Sequence, residues 1–127
     1  MRVIFIICFF VNSLGSFSQL IPPLKNYKAI EYNAHAQNWS VTQSINSRMY
    51  FGNTAGLLEF NGASWKKWTL DDNTTVRTVY AKGSRIYSGS YGDFGYWTSD
   101  TCGDLKYYSL NHLIKPDLIK NEEIWNI

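Results

Sequence analysis

The chain of 127 residues contains few of the side chains that build disulfide frameworks or metal centres. It has only two cysteines and two histidines. Cys8 lies in an N-terminal apolar segment and is expected to be removed with it, which leaves Cys102 without a partner for an internal disulfide. His35 and His112 have no further ligands at the spacing of a metal site. The sequence therefore predicts no disulfide, no metal site and no cofactor.

Basic charge and catalytic motifs are also sparse. The net charge is +2, and the 12 Lys and Arg residues are scattered rather than gathered into a run. A nucleic-acid surface needs such clustering, so none is predicted in this segment. The sequence also lacks a Gly-x-Ser-x-Gly element and a phosphate-binding loop. We therefore expect this segment not to be an enzyme.

The longest apolar run, residues 3–11, is too short for a membrane-spanning helix, which needs about 20 residues. Arg2 precedes this run, and small and polar residues follow it at 12–19. A positive start, a short apolar core and a small-residue end are typical of a secretory signal peptide. We predict a signal peptide at residues 1–19 and an exported protein, with a buried N-terminal strand as the alternative.

What the sequence has in abundance is aromatic side chains, at 17% of residues, and these favour strands. They lie within an internal repeat, because residues 48–60 return in varied form at residues 85–97. An offset of 37 residues places Gly52 on Gly89 without a gap, and the flanking residues align as well. A fixed period of roughly 20 to 50 residues indicates a repeat architecture.

Each repeat unit predicts four short strands joined by tight turns. The first unit covers residues 38–70 and contains Asn61-Gly62, a strong hairpin signal. The second unit covers residues 74–110, an insertion follows at 111–121, and residues 122–127 are predicted to open a third unit.

The segment before these units, residues 20–36, is predicted to be extended, because Pro22-Pro23 disfavours a helix. Two roles stay open for it, an added edge strand or a plain linker.

Four strands in about 35 residues match one propeller blade. We therefore predict an all-β fold, an incomplete β-propeller with about two four-stranded antiparallel blades and the start of a third, after the signal peptide. Propellers typically close with about four to eight blades, so we expect an N-terminal piece of a longer protein.

The blade patterns carry a family resemblance. Residues 50–53, 56–58 and 60–62 fit a strand ending in Gly-Asn, a Gly-Leu strand and a closing Asn-Gly. The chain resembles the periplasmic sensor propeller of two-component regulators, especially those of Bacteroidetes. The second unit departs from the pattern at Ser88 and Asp93.

Further residues point to one subgroup of this family. Residues 22–27, 37–39 and 94–97 resemble the start of proteins with a triple-tyrosine domain. The resemblance implies that a triple-tyrosine domain, a transmembrane helix and a cytoplasmic output follow the propeller. The implied output is a LuxR-type helix-turn-helix or a histidine kinase. It further implies ligand sensing in the periplasm, control of transcription and a full-length homodimer.

Loops of a four-stranded blade alternate between its two ends, so certain turns should share one rim. We predict that this rim binds a small molecule, a glycan or a protein partner. Aromatic and acidic side chains together suit sugars, whereas packing of Tyr91 and Phe94 between blades is the alternative. The rim candidates are Asn53, Thr54, Asp71, Asp72, Tyr91 and Asp93.

The five tryptophans mostly recur at strand positions and are predicted to lie in the core between blades, with a binding platform as the alternative. They are Trp39, Trp65, Trp68, Trp97 and Trp125.

Two other functions stay open. An exported propeller enzyme acting on glycans needs acid and base residues around a central channel. A non-catalytic interaction propeller needs neither these nor an output domain.

Overall fold

The structure is a computed structural model, and it describes residues 22–127. The predicted signal peptide lies outside the described residues. Sheet one contains β1 (Asn38–Gln43), β2 (Met49–Asn53), β3 (Gly56–Phe60) and β4 (Trp65–Trp68). Sheet two contains β5 (Thr78–Lys82), β6 (Arg85–Gly89), β7 (Phe94–Ser99) and β8 (Leu105–Ser109).

In each sheet the four strands pair antiparallel with their sequence neighbours. The prediction of an all-β fold with two four-stranded antiparallel sheets is confirmed.

Glycines and asparagines form the hairpin turns of sheet one. Gly56 joins β2 to β3 at φ 121°, and Gly62 lies between β3 and β4 at φ 95°. Side chains other than glycine are strained in this region of backbone space. The Asn61 side-chain oxygen accepts hydrogen bonds from the backbone N–H groups of Ala63 and Ser64. Asn61-Gly62 therefore forms the predicted tight turn.

The apolar core lies between the two sheets. Trp97 is only 2% exposed, and its indole N–H donates to the Ser88 hydroxyl at 2.8 Å. Burial of such aromatic and aliphatic side chains is the main favourable term in folding. The core cluster comprises Tyr50, Leu57, Leu70, Val76, Val79, Ile86, Trp97 and Leu105.

The two sheets approach each other most closely where β5 meets β1 and β2. On the opposite side, a groove of about 480 Å³ lies between β4 and β8. The sheets are therefore tightly packed at their first strands and open at their last strands.

The lead-in differs from the prediction of an extended segment over residues 20–36. Ala29–Tyr32 forms a short helix, α1, and Asn33 ends it at φ 49°. The Glu31 carboxylate accepts a hydrogen bond from the Lys28 backbone N–H at 2.7 Å, which satisfies a free donor at the start of the helix. The two prolines constrain only their own neighbourhood, so the extended prediction is wrong for these four residues.

The lead-in also packs against the face of sheet one that points away from sheet two. Tyr32 of α1 is buried, and the Tyr27 ring lies 5.2 Å from the rings of Phe60 and Trp65. Residues 22–37 form no edge strand.

After β8 the chain runs through two 3₁₀ turns, Asn111–Leu113 and Pro116–Leu118. Residues 122–127 form no regular strand, and Glu123 makes an isolated antiparallel bridge with Tyr91. In place of the predicted opening strand there is this one bridge, and residues 122–124 make backbone hydrogen bonds with the turn between β6 and β7.

Among residues 22–127, no helix is long and apolar enough to cross a membrane. The same residues contain no group of three His, Cys, Asp or Glu side chains that would hold a metal ion.

Candidate functional site

Each of the two sheets makes the same contact with the segment that follows it in the chain. Val76 donates its backbone N–H to the Asn53 carbonyl at 3.1 Å. It also lies so close to Gly52 that a Cβ there would be 2.8 Å from the Val76 carbonyl oxygen. A side chain at position 52 would therefore prevent this contact.

The same contact recurs on sheet two. Ile124 donates its backbone N–H to the Ser90 carbonyl at 3.0 Å. A Cβ at Gly89 would lie 2.6 Å from Ile124 Cγ2. Gly89 and Ser90 lie 37 residues after Gly52 and Asn53. Residues 122–124 therefore meet sheet two as residues 74–76 meet sheet one.

This correspondence aligns Trp39, Arg77 and Trp125. Trp39 precedes Ser40, which pairs with Gly52. Arg77 precedes Thr78, which pairs with Gly89 in the same way. Trp125 follows Ile124 as Arg77 follows Val76. The three residues occupy equivalent positions in three successive units.

The three side chains stack in a row. The Arg77 guanidinium carbon lies 4.1 Å from the Trp39 ring centroid and 4.9 Å from that of Trp125. The two indole centroids are 5.6 Å apart, with their planes at 78°. Such guanidinium–indole contacts are attractive, since the ring face carries negative charge density. We call Trp39, Arg77 and Trp125 the stacked row.

Polar groups hold the row in place. Arg77 Nη2 donates to Glu123 Oε1 at 2.7 Å, and the two side chains form an ion pair. The Trp39 indole N–H donates to the Thr54 hydroxyl at 3.1 Å. Trp39 is nevertheless 40% exposed and Trp125 49% exposed. The row therefore presents fixed aromatic surface to solvent.

Thr54 is the predicted rim residue that lies beside the stacked row. Its neighbour Asn53 is fully buried, and its side chain is used within the chain. The Asn53 amide group donates to the carbonyls of His35 and Gln37, and its oxygen accepts from the Ala55 N–H at 2.8 Å. Asn53 therefore fixes the β2–β3 turn to the lead-in.

The predicted acidic residues lie elsewhere on the molecule. Asp71 lines the groove between β4 and β8. Asp72 is exposed and accepts hydrogen bonds from the backbone N–H and hydroxyl of Thr74. Asp93 accepts a hydrogen bond from the Ser109 hydroxyl at 2.6 Å. The Asp72 contacts are typical of a turn whose backbone is held by its own side chain, whereas the Asp93 contact joins the β6–β7 turn to the end of β8.

Tyr107 lies near two of these acidic residues. Burial, followed by the charge and the hydrogen-bonding carboxylate of Asp93 and then by the charge of Asp72, raises the pKa of Tyr107. Its hydroxyl is buried and has no partner at regular hydrogen-bond geometry among the described residues. The aromatic and acidic side chains near the groove are Trp68, Asp71, Trp97, Tyr107 and Tyr108.

Tyr91 belongs to a third place. It is half-exposed, and its hydroxyl donates to the Asn121 side-chain oxygen at 3.2 Å. Its bridge to Glu123 places it near the end of the stacked row. The six predicted residues therefore do not form one rim: Thr54 and Tyr91 lie near the stacked row, Asp71 lines the groove, Asn53 is buried, and Asp72 and Asp93 lie in turns.

The sequence prediction missed the stacked row. All five tryptophans were expected in the core, and this is wrong for Trp39 and Trp125. Arg77 was not singled out at all. The residues of the row can be identified from their positions relative to Gly52 and Gly89. Finding these positions requires the strand register as well as the repeat offset.

Comparisons of the chain with protein-family models, curated proteins and solved structures found no match.

Proposed function

We propose that the two sheets are neighbouring blades of a β-propeller, and that this propeller is the exported, ligand-sensing part of a membrane-bound regulator. Signalling to transcription would pass through an output domain that these residues do not contain. The proposal combines the family resemblance of the sequence with the repeated geometry of the two sheets.

The observation that carries the proposal is a row of tyrosines on sheet two. Tyr80, Tyr87, Tyr96 and Tyr108 lie directly opposite one another across the four strands. Residues in such register share one face of the sheet. That face points away from sheet one, since the alternating residues contribute to the core between the sheets. We call these four residues the tyrosine row.

The tyrosine row lies on the face of sheet two that corresponds, through the repeat, to the covered face of sheet one. Tyr87 lies 37 residues after Tyr50, which is only 4% exposed because sheet two covers it. Tyr80 and Tyr108 are each nearly half-exposed. Sheet two therefore offers a further sheet the same kind of surface that sheet one offers to sheet two.

A second pair of contacts agrees with this equivalence. Arg48 forms an ion pair with the buried carboxylate of Glu59 on sheet one. The equivalent residues of sheet two are Arg85 and Tyr96, and the Arg85 guanidinium stacks on the Tyr96 ring at 4.3 Å. Both sheets thus place an arginine over the same position of their third strand. Successive sheets packed in this manner build a propeller.

Export and regulation are tested together in cells. Fusing residues 1–127 to alkaline phosphatase, which is active only after export, should give active enzyme. Deleting residues 1–19 should abolish that activity. A strain lacking the gene should show altered levels of a limited set of transcripts, restored by the intact gene. An inactive fusion, or unchanged transcripts in the deletion strain, would contradict the proposal.

A further inference from the structure

We infer that the far face of sheet two is a docking surface for a third sheet of this chain, and that this third sheet supplies a carboxylate to Arg85. The carboxylate comes from the turn between the third and fourth strands of that sheet. The inference deepens the proposed function and rests on it, since the proposed propeller provides the further sheet. It adds the charged contact by which that sheet is recognised.

Three cations lie on the same face as the tyrosine row. Lys82, Arg85 and Lys106 are each two positions along a strand from a tyrosine of the row, and side chains two positions apart share a face. All three side chains are exposed. The Lys106 ammonium lies 3.7 Å from the Asp100 carboxylate, whereas the ion pairs of residues 22–127 include neither Lys82 nor Arg85. The face therefore carries an excess of positive charge.

The Arg85 side chain lies over the tyrosine row itself. Its guanidinium carbon is 4.3 Å from the Tyr96 ring centroid, and the Tyr96 and Tyr108 rings stack with their centroids 5.4 Å apart. A sheet that covers Tyr96 therefore also covers part of the guanidinium. Removing a charge from water costs free energy unless a group of opposite charge compensates it. A carboxylate on the covering sheet provides that compensation.

Sheet one shows how the equivalent face is neutralised. Arg48 lies 37 residues before Arg85 and forms an ion pair with Glu59 of its own sheet. At the position equivalent to Glu59, sheet two has Tyr96. The repeat thus keeps the arginine and loses its carboxylate, so the counter-charge for Arg85 has to come from outside sheet two.

The turn between β7 and β8 indicates where that carboxylate comes from. Asp104 in this turn lies 3.6 Å from Lys66 of sheet one, and the two side chains form an ion pair between the sheets. The same turn and Arg48 line one pocket of about 200 Å³. Sheet two therefore places an acidic turn beside the arginine of the sheet before it. The equivalent turn of a third sheet would lie beside Arg85, where an Asp or Glu accepts a charge-assisted hydrogen bond.

The test is cross-linking of the complete gene product with a carbodiimide, which joins an amine to a carboxylate in direct contact. Arg85→Lys places an amine at position 85 and keeps the positive charge. Digestion and mass spectrometry should find position 85 joined to an Asp or Glu of the same chain that follows residue 127. The Lys66–Asp104 pair is the positive control, because both side chains are more than half exposed. The wild-type chain, with arginine at position 85, is the negative control.

Charge reversal tests whether this contact contributes to docking. Arg85→Glu should lower the Tm of the complete chain by about 5 °C, and reversing the cross-linked acid to lysine should restore most of this loss. The matched control is Lys115→Glu, which makes the same change of charge at an exposed position after β8. This control should change Tm by no more than about 1 °C.

Detection of the control cross-link without one from position 85 would overturn the inference. A cross-link from position 85 to a second chain, or charge reversal without rescue, would overturn it as well. Nitration of the tyrosine row in the same protein separates this failure from that of the proposed function. Protected tyrosines without the cross-link contradict only the carboxylate, whereas readily nitrated tyrosines contradict the propeller too.

Discussion

At the scale of single residues, Tyr107 combines a buried hydroxyl with nearby carboxylates. The hydroxyl has no partner at regular hydrogen-bond geometry among residues 22–127, and burial and nearby carboxylates raise its pKa. A buried hydroxyl that lacks a hydrogen bond costs stability relative to its hydrated state. The ring itself packs against Trp97, with the centroids 5.0 Å apart.

We therefore expect Tyr107→Phe to raise the free energy of unfolding by about 1 kcal/mol at neutral pH, because it removes the unpaired hydroxyl and keeps the ring. Urea denaturation followed by circular dichroism measures this change. Tyr108→Phe, at a half-exposed position, controls for loss of a hydroxyl. A destabilised Tyr107→Phe variant would mean that the hydroxyl has a hydrogen-bond partner after all.

The same substitution should change the response to alkali. A tyrosine whose folded pKa is raised favours folding fully below its unfolded pKa, about 10. Above that pH, ionisation of the tyrosine stabilises the unfolded state, so the free energy of unfolding falls as the pH rises further. Tyr107→Phe should make this fall less steep. Part of the fall should remain in this variant, because burial also raises the pKa of Tyr50.

Residue-scale prediction from the sequence succeeded where backbone conformation depends on one residue. Asn61-Gly62 was identified as a turn because glycine tolerates the required positive φ. It was less successful for side chains whose exposure depends on distant partners. Asn53 was expected on a binding rim but is buried by the lead-in, and Trp39 was expected in the core but stacks on Arg77 in solvent. Neither outcome follows from local sequence.

At the scale of elements, the same contact recurs between each sheet and the segment that follows it. Gly52 and Gly89 both allow the following chain to lie directly on a strand. Strand assignments from the sequence were accurate to a few residues in both sheets, because alternation and turn residues define short antiparallel strands well. Helix α1 was missed because four residues carry no periodic signal, and their helix is stabilised by packing of Tyr32.

Alanine at either glycine should separate the following segment from its sheet. In Gly89→Ala, a Cβ 2.6 Å from Ile124 should release residues 122–125 and remove protection of the Ile124 amide from hydrogen exchange. In Gly52→Ala, the clash with the Val76 backbone should destabilise the whole core, because Val76 is fully buried.

Gly83→Ala is the control for this pair. A Cβ at this position meets open space, so the substitution adds only backbone strain at φ 59° in a surface turn. It should leave the protection of the Ile124 amide unchanged. If Gly89→Ala also left that protection unchanged, the equivalence between the two glycines would be lost.

At the scale of the whole molecule, the two sheets carry equivalent faces, one covered and one open. Sheet two covers Tyr50 of sheet one and presents Tyr87 at the equivalent position on its own far face. The offset of 37 residues indicated this arrangement, since it aligned both tyrosines and both glycines. The number of sheets and the ligand depend on side chains that the repeat itself does not specify.

The most direct measurement is an experimental structure of the complete product of this gene. We predict a third four-stranded sheet that begins within residues 122–127 and covers Tyr80, Tyr87, Tyr96 and Tyr108, which would then be as buried as Tyr50. We also expect Trp39, Arg77 and Trp125 to remain open to solvent. A tyrosine row left in solvent, or covered by an element other than a sheet, would contradict the propeller and the function proposed from it.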